Sequence, residues 1–251
     1  MLEATPRDVR DPESCVFYHS IDLPTYGPQA GVWDLRGRFD DYTAHVALSA
    51  RSLLDVGTAT GFLTFEAEKR GARVTSLDVS DAELWAYLPI RESPFVKDYP
   101  AWRAEADAKA EGWKNSYWLS HRDLGSSARC VYGNVYELSP DVGSFDVVVL
   151  GQILVHLKDG ISALTAAASV CAETMVIVEG SFENDTPIAA LCGRADKPDV
   201  AYAWYQYSTG WYREILTMLG FREITVTTGS YLCNHDRHDS NIELTTIVAS
   251  R

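Results

Sequence analysis

The sequence predicts an α/β protein: a mainly parallel β-sheet with helices on both faces. Three observations predict it. Short apolar runs of strand length alternate with helix-patterned segments along most of the chain, the order that crossover connections between parallel strands require. The first clear run, LLDVG, passes into a turn of small residues and then a helix. The last two strand-like runs follow each other with no helix between them and read as a hairpin.

Taken in order, residues 1–14 are polar and charged and predict a loose start. Residues 15–45 mix aromatics with Pro and Gly and suit an ordered lid rather than a regular element. The division expected is a lid segment at 1–45 and a single domain at 46–251. RSLLDVG (51–57) is a short buried strand, Thr60 to Arg70 a helix closed by Gly71, and RVTSLDVS (73–80) a second strand. The pattern then breaks into an aromatic-rich insert at about 81–127, which holds Trp85, Trp102, Trp113 and Trp118 and ends in a helical stretch, NSYWLSHRDLG. RCVYGNVYEL (129–138) runs from strand into loop. SFDVVVLGQ and TMVIVEG are buried strands around the helix KDGISALTAAASVC. After an irregular stretch (181–207), Ser208 and Thr209 start a helix that Gly220 ends. REITVTTGSYL and NIELTTIVAS form the hairpin.

Of 251 residues, 46% are hydrophobic, enough for a full core. The net charge of −13 disfavours phosphate backbones and anionic membranes, so neither nucleic acid nor a membrane is an expected partner. Five scattered cysteines without a C-x-x-C pair read as reduced thiols. The N-terminus lacks an apolar signal core, and no apolar run reaches the ~20 residues of a membrane helix, so a cytoplasmic protein is expected.

The stretch LLDVGTATGF carries the chemistry. Gly57, Ala59 and Gly61 let a ligand approach the backbone, and Asp78, closing the next strand, can accept both hydroxyls of a ribose. Three readings compete. A dinucleotide site prefers G-x-G-x-x-G, whereas the pattern here is D-x-G-x-A-x-G, and Asp55 beside a pyrophosphate would be unfavourable. S-adenosylmethionine carries a sulfonium and an ammonium but no phosphate, and Asp55 would suit it. A plain strand–turn–helix is the third.

With these motifs in order, the chain resembles the class I S-adenosylmethionine-dependent methyltransferases from about residue 50 onward. LLDVGTATG looks like their first motif, SLDVS the second, GNVYEL the adenine-holding third, and FDVVVLGQILVHLKD the fourth. The resemblance implies a Rossmann-like, mainly parallel seven-stranded sheet whose final strand is antiparallel, and S-adenosyl-L-methionine as cofactor. It implies Asp55, Gly57, Thr58, Gly61, Asp78, Val79, Asn134, Val135, Gly151 and Gln152 as the residues that hold the cofactor. Asn134 replaces the commoner Asp and would accept from the adenine amino group through its amide oxygen.

FYHSIDLP, GVWDLRGRFD and the fourth motif are similar to a subgroup that includes the tRNA wobble-uridine carboxymethyltransferases, which use a carboxylated cofactor. Two departures stand against their substrate: His156 lies between Val155 and Leu157 instead of Tyr and Arg, and their long N-terminal extension is missing. With the acidic charge, ordinary S-adenosylmethionine and a small aromatic or heterocyclic acceptor, methylated at O or N, are expected. An RNA-modifying enzyme and a binding module without turnover remain the alternatives. Tyr18, His19, Trp33, Trp85, Trp118, Trp204 and Tyr205 are the candidate acceptor-binding residues, because their segments should project over the carboxyl edge of the sheet. His156, just past the fourth strand, is the first candidate base, and His121, on the insert helix beside Trp118, the second. Arg36 could pair the methionine carboxylate or be a surface charge. Cys233, His235 and His238 crowd into six residues at a hairpin tip without a second ligand pair, so no metal site is expected.

Overall fold

The computed structural model describes residues 1–80, 98–193, 203–235 and 238–251. Strands β1 (Leu2–Glu3), β2 (Ile21–Leu23), β3 (Gly27–Gln29) and β4 (Trp33–Asp34) lie in the N-terminal segment, followed by a short helix, α1 (Phe39–Tyr42). Then come β5 (Ser52–Val56), α2 (Phe62–Lys69), β6 (Arg73–Asp78), the long α3 (Tyr99–Asp123), β7 (Arg129–Tyr132), β8 (Phe145–Gly151), α4 (Gly160–Val170) and β9 (Cys171–Glu179). A small hairpin, β10 (Ala189–Leu191) with β11 (Tyr205–Tyr207), precedes α5 (Thr209–Met218), and β12 (Glu223–His235) and β13 (His238–Ser250) end the chain.

Among the described residues the main sheet runs β1-β7-β6-β5-β8-β9-β13-β12-β4. The pairs β7–β6, β6–β5, β5–β8 and β8–β9 are parallel, and β13 is antiparallel to both its neighbours. This is the expected seven-stranded frame with an antiparallel last strand. β1 and β4 add an antiparallel strand at each edge. Both faces are covered, which explains the unbroken apolar runs. Leu54, Val148, Leu150, Met175 and Ile177 face α4 and α5, while Leu53, Val147, Val149, Val176 and Val178 face α2, α3 and the N-terminal segment.

Local signals set the helix ends. α2 closes in a Schellman turn: Gly71, at φ +85°, donates to Glu68 O and Ala72 to Ala67 O. Ser208 caps α5 by accepting from Trp211 N, and Asp159 caps α4 by accepting from Ser162 N.

The N-terminal segment differs from the expectation of a loose start and a lid. Leu2 and Glu3 pair with β7, and Trp33 and Asp34 pair with β12. Ile21, Leu23, Leu35, Phe39 and Tyr42 are buried in the core on the α2 side. Arg7 bonds Glu111, Arg122 bonds Asp8, and Val16 fills the space left by Gly112, so the segment is fastened along α3. α3 itself begins at Tyr99, capped by Asp98, well before the helical stretch read from the sequence. Residues 181–207, expected to be irregular, contain the β10–β11 hairpin. Among the described residues no helix is long and apolar enough to cross a membrane.

Candidate active site

The parallel register lines up the carboxyl ends of the strands. Val56 sits beside Leu77 and Leu150, Asp78 beside Tyr132, and Gly151 beside Val178. The turn after β5 is closed on itself. Gly57 N and Thr58 N donate to Leu77 O at 2.8 and 3.1 Å, Ala59 N to Asp78 Oδ2 at 2.6 Å, and Gly61 N to Thr58 O at 2.9 Å. Gly61 caps α2 in the left-handed region, φ +87°. A methyl there would meet the rings of Phe65 and Tyr117 at 2.5 and 2.8 Å, so glycine is required by backbone and by space.

Asp55 does not face a ligand. It has no exposed surface; Oδ2 accepts from the Thr58 and Thr64 hydroxyls at 2.7 and 2.8 Å, and the Thr64 backbone N–H also bonds the carboxylate. Its parity along β5 turns it toward α2, where it occupies the positive N-terminus of that helix. Burial raises its pKa, and Oδ1 has no partner. The expectation that Asp55 meets a ligand cation is therefore corrected: its reach ends inside the turn. Thr58 is likewise engaged below it. From Thr64 a buried chain continues to Ser76 Oγ (2.7 Å) and the Tyr117 hydroxyl (3.0 Å).

Asp78 faces a cleft that opens to solvent. Thr58, Ala59, Asp78, Val79, Cys130 and Tyr132 line it from the sheet side, and Ala110, Trp113, Lys114 and Tyr117 from α3. Asp78 Oδ1 accepts from Val79 N at 2.7 Å. With one backbone bond per oxygen, each keeps accepting capacity for a hydroxyl. Burial pushes its pKa up to about 6, against the bonds from Val79 and Ala59 and the nearby Lys114 charge. Asn134 follows β7, but its amide oxygen accepts from Tyr136 N at 3.1 Å, and Val135 is buried in the core on the α4 side.

On the other side of the turn, a methyl on Gly151 would lie 2.9 Å from Leu63 Cδ1 and 3.0 Å from the Tyr42 hydroxyl. Gln152, at φ +52°, donates its N–H to Val178 O at 2.7 Å, and its side chain bonds Tyr42. His156, partly buried, ends a 3-10 turn, Leu154–His156. Glu179, fully buried at the end of β9, holds that turn: Oε1 accepts from Leu154 N at 2.6 Å, with further bonds from the Ile153 and Val155 backbones. Burial pushes Glu179 up to about 8. Trp204 N donates to Val155 O at 2.7 Å, which sets Trp204 and Tyr205 against the His156 turn.

The remaining expected residues divide. The Tyr18 ring lies 5.1 Å from Trp113 at the cleft, and His19 N contacts Thr60 Oγ1 at 3.4 Å. His19 is buried, which lowers its pKa to about 4 and keeps it neutral. Trp33 is corrected to a core residue, buried opposite Cys233. Trp118 is also core; its indole donates to the Tyr132 hydroxyl at 3.3 Å, so it reaches the cleft only through that tyrosine. His121 is corrected as a base: its Nε2 pairs with Ala128 O, immediately before β7 begins, at the amino edge of the sheet. Arg36 is held on the surface by Asp22 and Asp34. Trp85 lies outside the described residues.

Sequence reasoning missed Tyr42, Glu179, Trp113, Lys114 and Tyr132 as site residues. Glu179 carries the same signal as Asp78, an acid closing an apolar strand. The rest arrive from distant segments.

No family model and no curated protein matches the chain. Solved structures do. Magnesium protoporphyrin IX methyltransferase from Synechocystis PCC 6803, with S-adenosylmethionine bound, superposes with TM-score 0.52 at 15% identity, covering 86% of this chain and 77% of that one. A 1,6-didemethyltoxoflavin N1-methyltransferase from Burkholderia thailandensis gives 0.50 at 17%, covering 86% and 77%. A protein from Pyrococcus horikoshii described as a candidate RNA methyltransferase gives 0.52 at 12%, covering 86% and 84%. The architecture is thus the Rossmann-like fold of the S-adenosylmethionine-dependent methyltransferases.

Proposed function

We propose that the chain is an S-adenosylmethionine-dependent methyltransferase acting on a small aromatic or heterocyclic molecule. The observation that carries the cofactor assignment is the closed turn. A pyrophosphate needs free N–H groups at the helix N-terminus. Here Gly57, Thr58, Ala59 and Gly61 spend theirs on Leu77, Asp78 and Thr58, and Asp55 places a carboxylate inside that helix end. A phosphate there would meet the Asp55 charge in a turn that has already spent these four donors. A phosphate-free adenosyl ligand fits instead, with its ribose on Asp78 and its base between Val79 and the Asn134 turn. Thr58, Val135 and Asp55 shape the site from beneath.

When bound, S-adenosylmethionine supplies an activated methyl on a sulfonium. The chain's part is to align an acceptor atom in line with that methyl and to exclude water. Gly151 and Gln152, fixed by Tyr42 and Val178, form the rim where the acceptor approaches. In this reading His156 would take a proton from an acceptor hydroxyl or amine, with Trp204 and Tyr205 against its turn and His19 and Tyr18 from the N-terminal segment completing the acceptor site. The small-molecule methyltransferases with the same fold support this acceptor class. The −13 charge stands against RNA; the tRNA and carboxylated-cofactor reading would return if tRNA bound with a steep salt dependence.

The test is calorimetry with S-adenosylhomocysteine, NAD and FAD. Binding of the first alone is expected. Uptake of a dinucleotide and no heat with the thioether would overturn the assignment. Methyl release from labelled cofactor over a panel of phenols and heterocyclic amines then separates an enzyme from a binder without turnover.

A further inference from the structure

The cleft beside Asp78 has a second wall. Ala110, Trp113, Lys114 and Tyr117 stand at i, i+3, i+4 and i+7 of α3, one stripe of that helix. Ala110 and Tyr117 are buried, while Trp113 and Lys114 are partly exposed at the cleft. We propose that this stripe binds the nucleoside half of the cofactor, with Trp113 offering a face to the base and Lys114 its charge to the ribose end, so that the insert's rings serve the cofactor rather than the acceptor. The proposal rests on the cofactor reading above.

Four observations support it. The opposite wall is Asp78 and Val79, and neither Gly151, Gln152 nor His156 lines the cleft. Lys114 Nζ is anchored to the Ser80 carbonyl and, at 2.8 Å, to Glu111, and sits 5.6 Å over the Tyr132 ring. The Trp113 ring is braced by Tyr18 at 5.1 Å and by the Lys109 ammonium at 5.2 Å. The stripe is also fixed relative to the glycine turn, because the Tyr117 hydroxyl ends the chain of buried bonds from Asp55 through Thr64 and Ser76. An aromatic wall and a carboxylate across one cleft are what a ribose with a planar base requires.

Lys114 also favours ionised Asp78, the better ribose acceptor. Among the described residues, the titratable groups whose charge bears on Asp78 are Lys114 from α3, the more distant Asp55 from β5, and Cys130 and Tyr132 from β7. Burial pushes the thiol and the phenol each up to about 12, so both stay neutral near pH 7. Among the described residues Lys114 is then the cation that offsets the Asp55 charge at Asp78.

Calorimetry with S-adenosylhomocysteine and, separately, with adenosine tests this on W113L, W113F and K114M, each checked for an unchanged thermal melt. W113L should weaken both ligands by about ten-fold or more, with W113F retaining most of the affinity. K114M should weaken S-adenosylhomocysteine more at pH 6 than at pH 8, because Asp78 then holds its proton to higher pH. Wild-type affinity in both W113L and K114M would overturn the inference and leave the cofactor reading standing, the more so if the acceptor KM rose instead. A wild-type protein that binds neither ligand would overturn both.

Discussion

An acid stands at or beside the carboxyl end of β5, β6 and β9, and the three look alike in the sequence. Side-chain direction separates them. Asp55 turns toward the first turn of α2 and accepts from Thr64, Asp78 turns into the cleft, and Glu179 turns onto the next loop. Gly61, at the start of the helix Asp55 faces, has no room for a side chain. Gly61→Ala would force a methyl into two buried rings at a left-handed backbone position. A loss of about 2–4 kcal/mol is expected, read by urea denaturation; a loss below about 0.5 kcal/mol would show that Phe65 and Tyr117 can retreat. At the reacting end, His156→Ala separates chemistry from positioning. If the imidazole moves the proton, kcat should fall about 10²–10⁴-fold while S-adenosylhomocysteine binds unchanged. A fall of less than about ten-fold would assign catalysis to alignment alone.

The element most exposed to pH is the 3-10 turn that carries His156. Its backbone N–H groups converge on Glu179, and the hydroxyls of Tyr42, Tyr207 and Tyr212 lie within range of that carboxylate. Burial raises Glu179 from 4.5 to about 8, so the folded protein holds this proton more tightly than the unfolded chain. Its contribution to stability is therefore full at and below about pH 4.5. It declines as pH rises toward about 8 and is flat above, where both states are ionised. Glu179→Gln removes the titration. The difference in Tm between wild type and variant should move against the wild type from pH 5 to 8, by on the order of 3 kcal/mol or roughly 5–10 °C; a pH-independent difference would place the Glu179 pKa near its ordinary value. The sequence made the frame of this turn legible but not its clamp. SFDVVVLGQ and TMVIVEG read as strands because both their faces are buried, and Ser208 and Gly220 mark α5 because caps are local. The two-residue strands β1 and β4 carry no local signal, since their partners alone create them. The first half of α3, AWRAEADAKAEG, alternates alanine with charged residues and carries a single large apolar side chain, Trp102, so it shows no helical period. In the site, the glycine turn and Asp78 were legible as a contiguous motif. Tyr42 and the α3 stripe were not, because helices bring them from far along the chain.

At the scale of the whole molecule, the N-terminal segment closes the sheet at both edges. β1 covers the outer edge of β7, and β4 pairs with β12. Between them, Ala4, Ile21, Leu23, Trp33, Leu35, Phe39 and Tyr42 are buried in the core that α2 and α3 share. A detachable lid and a structural strap predict different outcomes when residues 1–45 are deleted. A lid would leave a folded protein with an opened site. The strap removes these buried side chains at roughly 1.5–3 kcal/mol for each large one, an upper-bound reckoning that still rivals the ~5–15 kcal/mol stability of a typical domain. It also uncovers two strand edges, which invite aggregation. The deletion is therefore expected to give an aggregating or unfolded product, seen by circular dichroism and gel filtration. A monomeric, folded product that still binds S-adenosylhomocysteine would restore the lid. A milder variant separates the two parts of the strap. Tyr42→Phe removes the hydroxyl that bonds Gln152 while keeping the ring against Tyr231 at 5.3 Å. The fold should survive it. If the strap also shapes the reacting end, turnover should drop with the melt nearly unchanged, because Gln152 then loses one of the two contacts that fix its left-handed turn.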